Sequence, residues 1–198
     1  MTEWWTYRVR SFVLFSARTY ERLIEAYNAE LWPLQAVVWL AAVAALAWLA
    51  RGPSAARDRL VLGGLAAAWS AVAWAFEYRR FAAINWAAGY AAMVFAAQAA
   101  ALLWLALRSR VALRRGARID RAGLAIAALG VAYPLLAPAT GRPWTLAEVV
   151  GFMPVPTAIV TLGCLLRAKP ARTPLLVVPI ATCAFEGALA WALYGGRP

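Results

Sequence analysis

Six apolar runs fill most of this chain and constrain its fold more than any other feature. They cover residues 31–50, 60–76, 86–107, 122–139, 149–166 and 174–194. A helix needs about 20 apolar residues to cross a bilayer, and it satisfies all the backbone polar groups that hydrocarbon leaves without water. The runs predict an all-α fold, a polytopic membrane helix bundle with six transmembrane helices over residues 31–198.

Composition supports this class and excludes others. The 198 residues are 64% hydrophobic, well above the roughly 45–50% of a soluble domain. Six spans with short loops leave no room for a second folded domain. A net charge of +11 would suggest nucleic acid as the partner of a soluble protein. Here the arginines flank apolar runs, which indicates the lipid bilayer as the partner and no nucleic acid.

The basic residues fall mainly in three segments, residues 51–59, 108–121 and 167–172. The middle segment, RSRVALRRGARIDR, alone carries six arginines. These segments form the first, third and fifth loops between the predicted helices. Because Lys and Arg accumulate in cytoplasmic loops, the pattern predicts that these loops are cytoplasmic and that both termini face outward.

Residues 1–30 precede the bundle and predict an amphipathic helix at the membrane interface. Large apolar and aromatic side chains recur there at roughly helical spacing, at Phe12, Phe15, Tyr20, Leu23, Tyr27 and Leu31. The other side of this helix is charged. Two interpretations remain open: the helix packs along the outer interface, or it forms a lid over an outward-facing cavity.

Tryptophan is abundant, and its distribution is uneven in this topology. Seven of the 11 tryptophans map near the outer surface, at Trp4, Trp5, Trp32, Trp74, Trp86, Trp144 and Trp191. Only Trp48 and Trp104 approach the inner surface. Aromatic rings favour the headgroup level, so the outer layer either anchors the N-terminal helix or provides a binding surface for a lipid, a small molecule or a partner subunit.

Polar residues inside the spans are the first candidates for function, because ionisable groups are costly in hydrocarbon. Glu186 in the sixth run and Gln98 in the third are predicted at comparable depth, and they could bond each other if their helices are neighbours. Glu186 is either a protonated structural group or a carboxyl that handles protons or substrate. Small residues recur along the second and third runs, from Gly63 to Ala68 and every fourth position from Ala88 to Ala100, which indicates close packing.

The two outer loops hold the remaining candidates. FEYRRFAAINW, residues 76–86, places Glu77, Arg79, Arg80 and Asn85 at a predicted outer vestibule. Glu77 is expected to pair with one of the two arginines, or the arginines recognise an anion. Glu148, in the second outer loop, is also predicted at this vestibule, and it precedes the fifth run, which Met-Pro-Val-Pro interrupts near its start. Prolines there free backbone carbonyls, as at the broken helices of transporters and also at ordinary helix beginnings.

Several classes of chemistry are excluded or disfavoured. Without histidine, the chain cannot form a Ser-His-Asp or Cys-His centre or a His-ligated metal or haem site. Cys164 and Cys183 lie in different runs without a CxxC motif, which favours inert thiols over a metal site. No phosphate-binding or dinucleotide-binding motif is present. The sequence therefore predicts no catalytic residue, no metal site and no cofactor.

Two functions from different classes remain. The first is a transporter-like or channel-like protein for a small solute, with Glu186 and Gln98 in the interior and an outward-facing vestibule. The second is an accessory or assembly subunit, which forms a homo-oligomer or joins a larger membrane complex. A cavity that reaches Glu186 would favour the first, and an exposed apolar groove of small residues would favour the second.

Several segments resemble a bacterial domain-of-unknown-function family of small six-span inner-membrane proteins. They are MTEWWTYR, FSARTYERL, LWPLQ at 31–35, FEYRRFAAINWAA at 76–88 with Gln98 downstream, and GRPWTLAEVVGFMPVPTAIVTLG at 141–163. The resemblance implies the same six-helix architecture in the bacterial inner membrane and no assigned activity. In that membrane, the outward termini predicted from the charge pattern are periplasmic. In that family the two prolines bracket an aspartate, whereas Val155 stands here, so no role of that carboxylate carries over.

Overall fold

The computed structural model describes residues 15–51, 54–108, 112–114, 116–169 and 173–195, and this part of the chain is a helical bundle. Its helices are α1 (Ala17–Leu31), α2 (Leu34–Ala50), α3 (Ala55–Ala71), α4 (Ala88–Arg108), α5 (Ala117–Ala132), α6 (Leu136–Ala139), α7 (Pro154–Leu166) and α8 (Val177–Tyr194). A π-helix continues α3 (Val72–Tyr78), and 3-10 turns lie at Phe81–Ala83, Tyr133–Leu135, Trp144–Leu146 and Thr173–Leu176.

Fewer helices are long enough to cross a membrane than the apolar runs predicted. Four segments have the necessary length and apolar character: Ala55–Ala83, Ala88–Arg108, Ala117–Ala139 and Thr173–Tyr194. α1 and α2 qualify only as a pair, and they are bent by 84°. α7 has 13 residues, which at about 1.5 Å per residue is shorter than a hydrocarbon core of about 30 Å. The described part of the chain thus has four candidate spans, or five with the bent pair, where the sequence predicted six.

α7 is shorter than the fifth apolar run because residues 149–153 form a turn. The amides of Phe152 and Met153 both donate to the Val149 carbonyl, at 3.1 and 3.0 Å, and Gly151 adopts a φ of 86°. Thr157 Oγ1 accepts from the Gly151 amide at 2.8 Å and donates to the Met153 carbonyl at 2.7 Å. These residues are enclosed by protein, where non-helical backbone is tolerated at membrane depth.

α7 lies at the centre of the bundle, and glycines let α5 cross it closely. A Cβ added at Gly163 would lie 2.5 Å from the Gly123 carbonyl oxygen and 2.5 Å from the Ala127 amide nitrogen. By contrast, a Cβ at Gly63 or Gly64 of α3 would meet nothing within 4 Å. The close helix contact that glycine permits is therefore between α5 and α7, and not at the α3 glycines that the small-residue pattern had singled out.

α1 lies across one end of the bundle. Ser16 caps it by accepting a 3.1 Å hydrogen bond from the Thr19 amide. Its buried side carries Tyr20, Ile24, Tyr27 and Asn28, and Tyr27 packs against Phe76 and Phe152. Phe12, predicted on the same stripe, lies outside the described residues.

The three basic segments meet at the opposite end. Ala112 and Lys169 exchange backbone hydrogen bonds of 3.1 and 2.8 Å, which join the second basic segment to the third. Asp58 of the first segment accepts a 2.9 Å bond from the Leu113 amide. The segments that the charge pattern assigned to one side of the membrane thus contact each other, and we call this the basic end.

The sides of the bundle are apolar and exposed, which is typical of helices that face lipid. Leu40, Leu103 and Leu129 are at least 47% exposed. Five tryptophans of the predicted outer layer are exposed where their helices or loops reach the α1 end: Trp32, Trp74, Trp86, Trp144 and Trp191. Trp4 and Trp5 lie outside the described residues.

Candidate functional site

A cavity of about 320 Å³ lies between the end of α3, α4 and α8, and it contains three of the predicted site residues. Its polar side chains are Glu77, Asn85, Thr182 and Glu186. The walls are otherwise apolar and include alanines, valines and the rings of Phe81, Phe95 and Phe185. This cavity is in the size range of small-molecule sites, which combine apolar walls with a few polar groups. We call it the carboxyl cavity.

Glu77 enters this cavity because the helix that carries it changes its winding. It lies in the π-helix Val72–Tyr78, where an i to i+5 bond pattern shifts the side chains relative to an α-helix. Glu77 is 2% exposed, and its carboxyl group makes no hydrogen bond or ion pair with another described residue. The expected ion pair with Arg79 or Arg80 is not formed, so that prediction was wrong. Short π segments of this kind are frequent at functional sites.

Arg80 points away from Glu77 and secures α1 instead. Its Nη2 donates to the Glu30 carboxylate, and its Nη1 donates to the Ala75 carbonyl at 2.7 Å. The guanidinium also lies over the Tyr27 ring, 4.5 Å from its centroid. Arg79 is exposed on the surface. The structure thus divides the predicted vestibule: Glu77 and Asn85 line the carboxyl cavity, whereas the two arginines do not.

Glu186 is the second carboxyl of the cavity and lies in the middle of α8. It is 9% exposed, and no hydrogen bond to another described residue satisfies it. Thr182, one turn earlier, donates to the Val178 carbonyl of its own helix at 2.9 Å, so it is not a partner of Glu186. Glu77 and Glu186 are close enough for their charges to interact. Residues 109 positions apart in sequence are thereby brought into one site.

Gln98 is buried, but it does not line the carboxyl cavity. Its Nε2 donates to the Leu175 carbonyl at 3.1 Å, in the 3-10 turn that begins the last span. Leu175 lies eleven residues before Glu186, about 16 Å along a helix. The bond between Gln98 and Glu186 considered from the sequence is not formed. Gln98 lies level with the start of the last span, whereas Glu186 lies farther along it.

Asn85 has a structural task as well as a place on the cavity wall. Its Oδ1 accepts a 3.2 Å hydrogen bond from the Ala87 amide, and its carbonyl accepts from the Ala88 amide at 3.0 Å. These bonds shape the turn from which α4 starts. The sequence placed Asn85 at this mouth, and the structure shows that it helps to set the direction of α4 beside the cavity.

Glu148 lies outside the helices, in the loop before α7, and it is half-buried. Burial raises the pKa of this carboxyl to about 7, and the nearby Arg142 opposes the shift. Glu148 is close enough to Glu186 for the charges of the two carboxyl groups to interact. Three carboxyl groups from three distant parts of the chain therefore influence one another near the α1 end, although Glu148 does not line the carboxyl cavity.

Tyrosines form part of this region, and the sequence pattern did not identify them as site residues. Tyr20 of α1 lies within electrostatic reach of Glu186, Glu148 and Glu77, and its ring packs on Phe81 of the cavity wall at 5.6 Å between centroids. Tyr133 is within reach of Glu148 and Glu186. Tyr20 was assigned to the apolar stripe of the N-terminal helix. Its hydroxyl group was the only feature that could have indicated a place beside the carboxyl groups. In the described part of the chain, no group of three or more His, Cys, Asp or Glu side chains is arranged to hold a metal ion.

Comparison with known proteins gives a family and no activity. The model of a family described as "Family of unknown function (DUF6064)" matches residues 17–196, nearly the whole chain. The resemblance to a domain-of-unknown-function family is thereby confirmed. No curated protein and no solved structure matches the chain.

Proposed function

The chain belongs to the DUF6064 family of unknown function, and we propose that it is a small transporter-like or channel-like membrane protein whose carboxyl cavity binds a small cationic solute or a proton. One observation carries this proposal: Glu77 and Glu186 share an apolar cavity in which neither has a hydrogen bond or a cationic partner among the described residues. A buried carboxyl without a partner is costly. A bound cation or a proton removes that cost.

The cavity walls define the class of solute. A volume of about 320 Å³ accommodates a small organic cation such as an alkylammonium ion. The carboxyl groups would repel an anion, and the aromatic rings of Phe81, Phe95 and Phe185 offer faces that attract a cation. The predicted recognition of an anion by Arg79 and Arg80 is not part of this proposal, because neither arginine lines the cavity.

α1 gives this site a cover. Tyr20 closes over Phe81, and Arg80 ties α1 to the end of α3 through Glu30. Of the two interpretations of the N-terminal segment, the contacts of α1 with the cavity wall favour the lid. Release of α1 would open the carboxyl cavity toward the α1 end.

The proposed topology has six crossings in the inner membrane, with the basic end cytoplasmic and both termini outside. α7 would be a short, enclosed crossing, completed by the buried turn at residues 149–153. The meeting of the three basic segments at one end supports this orientation, since arginines accumulate on the cytoplasmic side. A periplasm-active reporter fused to Met1 should be active, and a silent fusion would contradict the orientation.

The transport proposal is tested with purified protein in liposomes. Addition of ammonium, methylammonium or ethylammonium ions should produce a charge movement or an internal pH change, measured on a solid-supported membrane or with an enclosed pH dye. Glu186→Gln and Glu77→Gln should abolish the signal, because the amide keeps the shape and loses the charge. Glu25→Gln is the matched control, since Glu25 is a carboxylate of α1 at the same end, and a glutamine can still accept its 3.4 Å bond from Thr145 Oγ1.

Loss of the signal in Glu25→Gln as well as in Glu186→Gln would indicate a general effect and contradict the assigned site. Wild-type protein that moves none of these ions or protons would contradict the function. In that case the carboxyls would be structural groups.

A second function is favoured by a different surface. A groove of about 680 Å³ runs between α3 and α4, lined by small residues that include Gly63, Ala67, Ala96 and Ala100. Small residues let a helix of another subunit approach closely, as an accessory subunit requires. Ala96→Leu should then reduce the mass of the particle in mild detergent, whereas Ala97→Leu, on the exposed surface beside the groove, should not. A monomeric wild-type particle would contradict this function.

A further inference from the structure

The basic end contains a second pocket, of about 270 Å³, at the ends of α2 and α7 and the start of α5. Unlike the carboxyl cavity, it is lined by three arginines, Arg114, Arg121 and Arg167, together with Asp120. We call it the arginine pocket. The three guanidinium groups come from two different basic segments, so their convergence is a property of the tertiary structure.

Arg167 is the buried floor of the arginine pocket. Its side chain is 6% exposed, and its aliphatic part lies against α5 where Gly123 has no side chain, since a Cβ there would meet Arg167 Cγ at 2.5 Å. Nη2 donates to the Leu49 carbonyl at 3.2 Å. These contacts fix the position of the guanidinium.

Two donor groups of this buried guanidinium have no acceptor. Nε and Nη1 of Arg167 make no hydrogen bond in the described part of the chain. Nε lies 3.9 Å from Asp120 Oδ1, an ion-pair distance that is too long for a hydrogen bond. A buried charged donor without an acceptor is unfavourable. An anion at this position would remove that cost.

The charge of the pocket favours an anion despite Asp120. Three guanidinium groups face one carboxylate, and Arg114 Nε lies 3.8 Å from Asp120 Oδ2. Within the described residues, the Arg121 side chain makes one hydrogen bond, from Nε to the Ala117 carbonyl at 3.2 Å. Arg114 and Arg121 are exposed at the rim, where they can turn toward a ligand. Asp120 would hold Arg114 and Arg167 near each other.

We propose that the arginine pocket binds a phosphate group, with Arg167 as a fixed donor and Arg114 and Arg121 as rim contacts. Guanidinium groups form paired, charge-assisted hydrogen bonds with phosphate oxygens. The phosphate comes either from an anionic lipid headgroup at the membrane surface or from free phosphate in solution. Basic pockets between helices at the cytoplasmic surface are suited to lipid headgroups.

The experiment uses the full-length protein in a neutral detergent, with two probes. Dioleoylphosphatidylglycerol is titrated and its binding followed by native mass spectrometry, with dioleoylphosphatidylcholine as the zwitterionic comparison. Inorganic phosphate is titrated and followed by the shift of the thermal unfolding midpoint. Each measurement is repeated for Arg114→Ala, Arg121→Ala and the control Arg118→Ala, an exposed arginine of α5 that does not line the pocket.

We expect Arg114→Ala and Arg121→Ala each to weaken binding about tenfold, the effect of one lost charge-assisted hydrogen bond. Arg118→Ala should leave the affinity within about twofold, as for a screened surface charge. Binding of phosphatidylglycerol alone identifies a lipid headgroup as the ligand, and binding of both probes identifies phosphate itself. The proposal is overturned if neither probe binds, or if the three variants weaken binding equally.

Discussion

Gln35 donates a 2.7 Å hydrogen bond from its Nε2 to the Oδ1 of Asn28, across the bend between α1 and α2. Asn28 in turn donates from Nδ2 to the carbonyls of Thr145 and Ala147, at 2.7 and 2.9 Å. Both side chains are 7% exposed. This small network connects the cover helix, the first long apolar helix and the loop that carries Glu148.

Asn28→Ala should therefore destabilise the α1 end. It removes three side-chain hydrogen bonds and leaves Gln35 and two carbonyls without partners, at a cost of about 1–3 kcal/mol for a buried unsatisfied group. Unfolding of the purified protein in detergent measures the change. Asn85→Ala is the matched control, because Asn85 makes a single side-chain bond of 3.2 Å and should cost less. Equal losses in both variants would contradict the role of this network.

Gly163→Ala should weaken the central helix pair. The new Cβ would lie 2.5 Å from two backbone atoms of α5, so the helices must separate, at a cost of about 1–3 kcal/mol. Gly187→Ala offers the control within α8, since nothing lies within 4 Å of its Cβ position. Alanine also favours a helix over glycine, so Gly187→Ala should be neutral or slightly stabilising. The unfolding midpoints of the two variants should thus move in different directions, and similar shifts would argue against the close contact.

Asp58→Asn should be strongly destabilising at the basic end. Arg57 and Asp58 are each 1% exposed, and Arg57 donates to Asp58 Oδ1 from Nε at 2.8 Å and from Nη2 at 2.5 Å. Loss of the carboxylate leaves a buried guanidinium charge, which typically costs about 3–5 kcal/mol. Glu30→Gln, which removes a 64% exposed carboxylate paired with Arg80, should cost clearly less, because exposed ion pairs stabilise only weakly. The comparison of the two unfolding free energies tests this order, and the reverse order would refute it.

Glu148 should make stability depend on pH. The folded protein raises the pKa of this carboxyl to about 7 through burial, so between its unfolded value, near 4.3, and 7 the folded state binds more protons than the unfolded state. The free energy of unfolding should fall as the pH rises through this window, by at most about 4 kcal/mol, and level off above it. Glu148→Gln should lack this decline. Unfolding measured at pH 5 and pH 8 for both proteins decides the matter, and an unchanged slope in the variant would exclude Glu148 as its source.

The two ends of the molecule show which features could be predicted from local sequence patterns. Arginine-rich segments between apolar runs predicted which loops share one side, and the bonds between Ala112 and Lys169 and from Leu113 to Asp58 bring those segments together. Glu186 was predicted as a candidate because ionisable groups in apolar runs are exceptional, and Glu77 because it lies in the charged outer loop at residues 76–86. The sequence did not predict which side chains pair. Gln98 donates to the Leu175 carbonyl and not to Glu186, and Arg80 donates to Glu30 and not to Glu77.

The sequence by itself determined the all-helical, apolar character of this protein, the grouping of its charges and the few polar residues inside it, because these depend on composition and on spacing along one chain. Only the tertiary structure decided that α7 is a short buried helix, that a π-helix turns Glu77 inward, and that Arg167 joins Arg114 and Arg121. Helix length in the interior depends on what surrounds the helix, and side-chain partners depend on how helices cross. Both are set by packing between residues far apart in sequence.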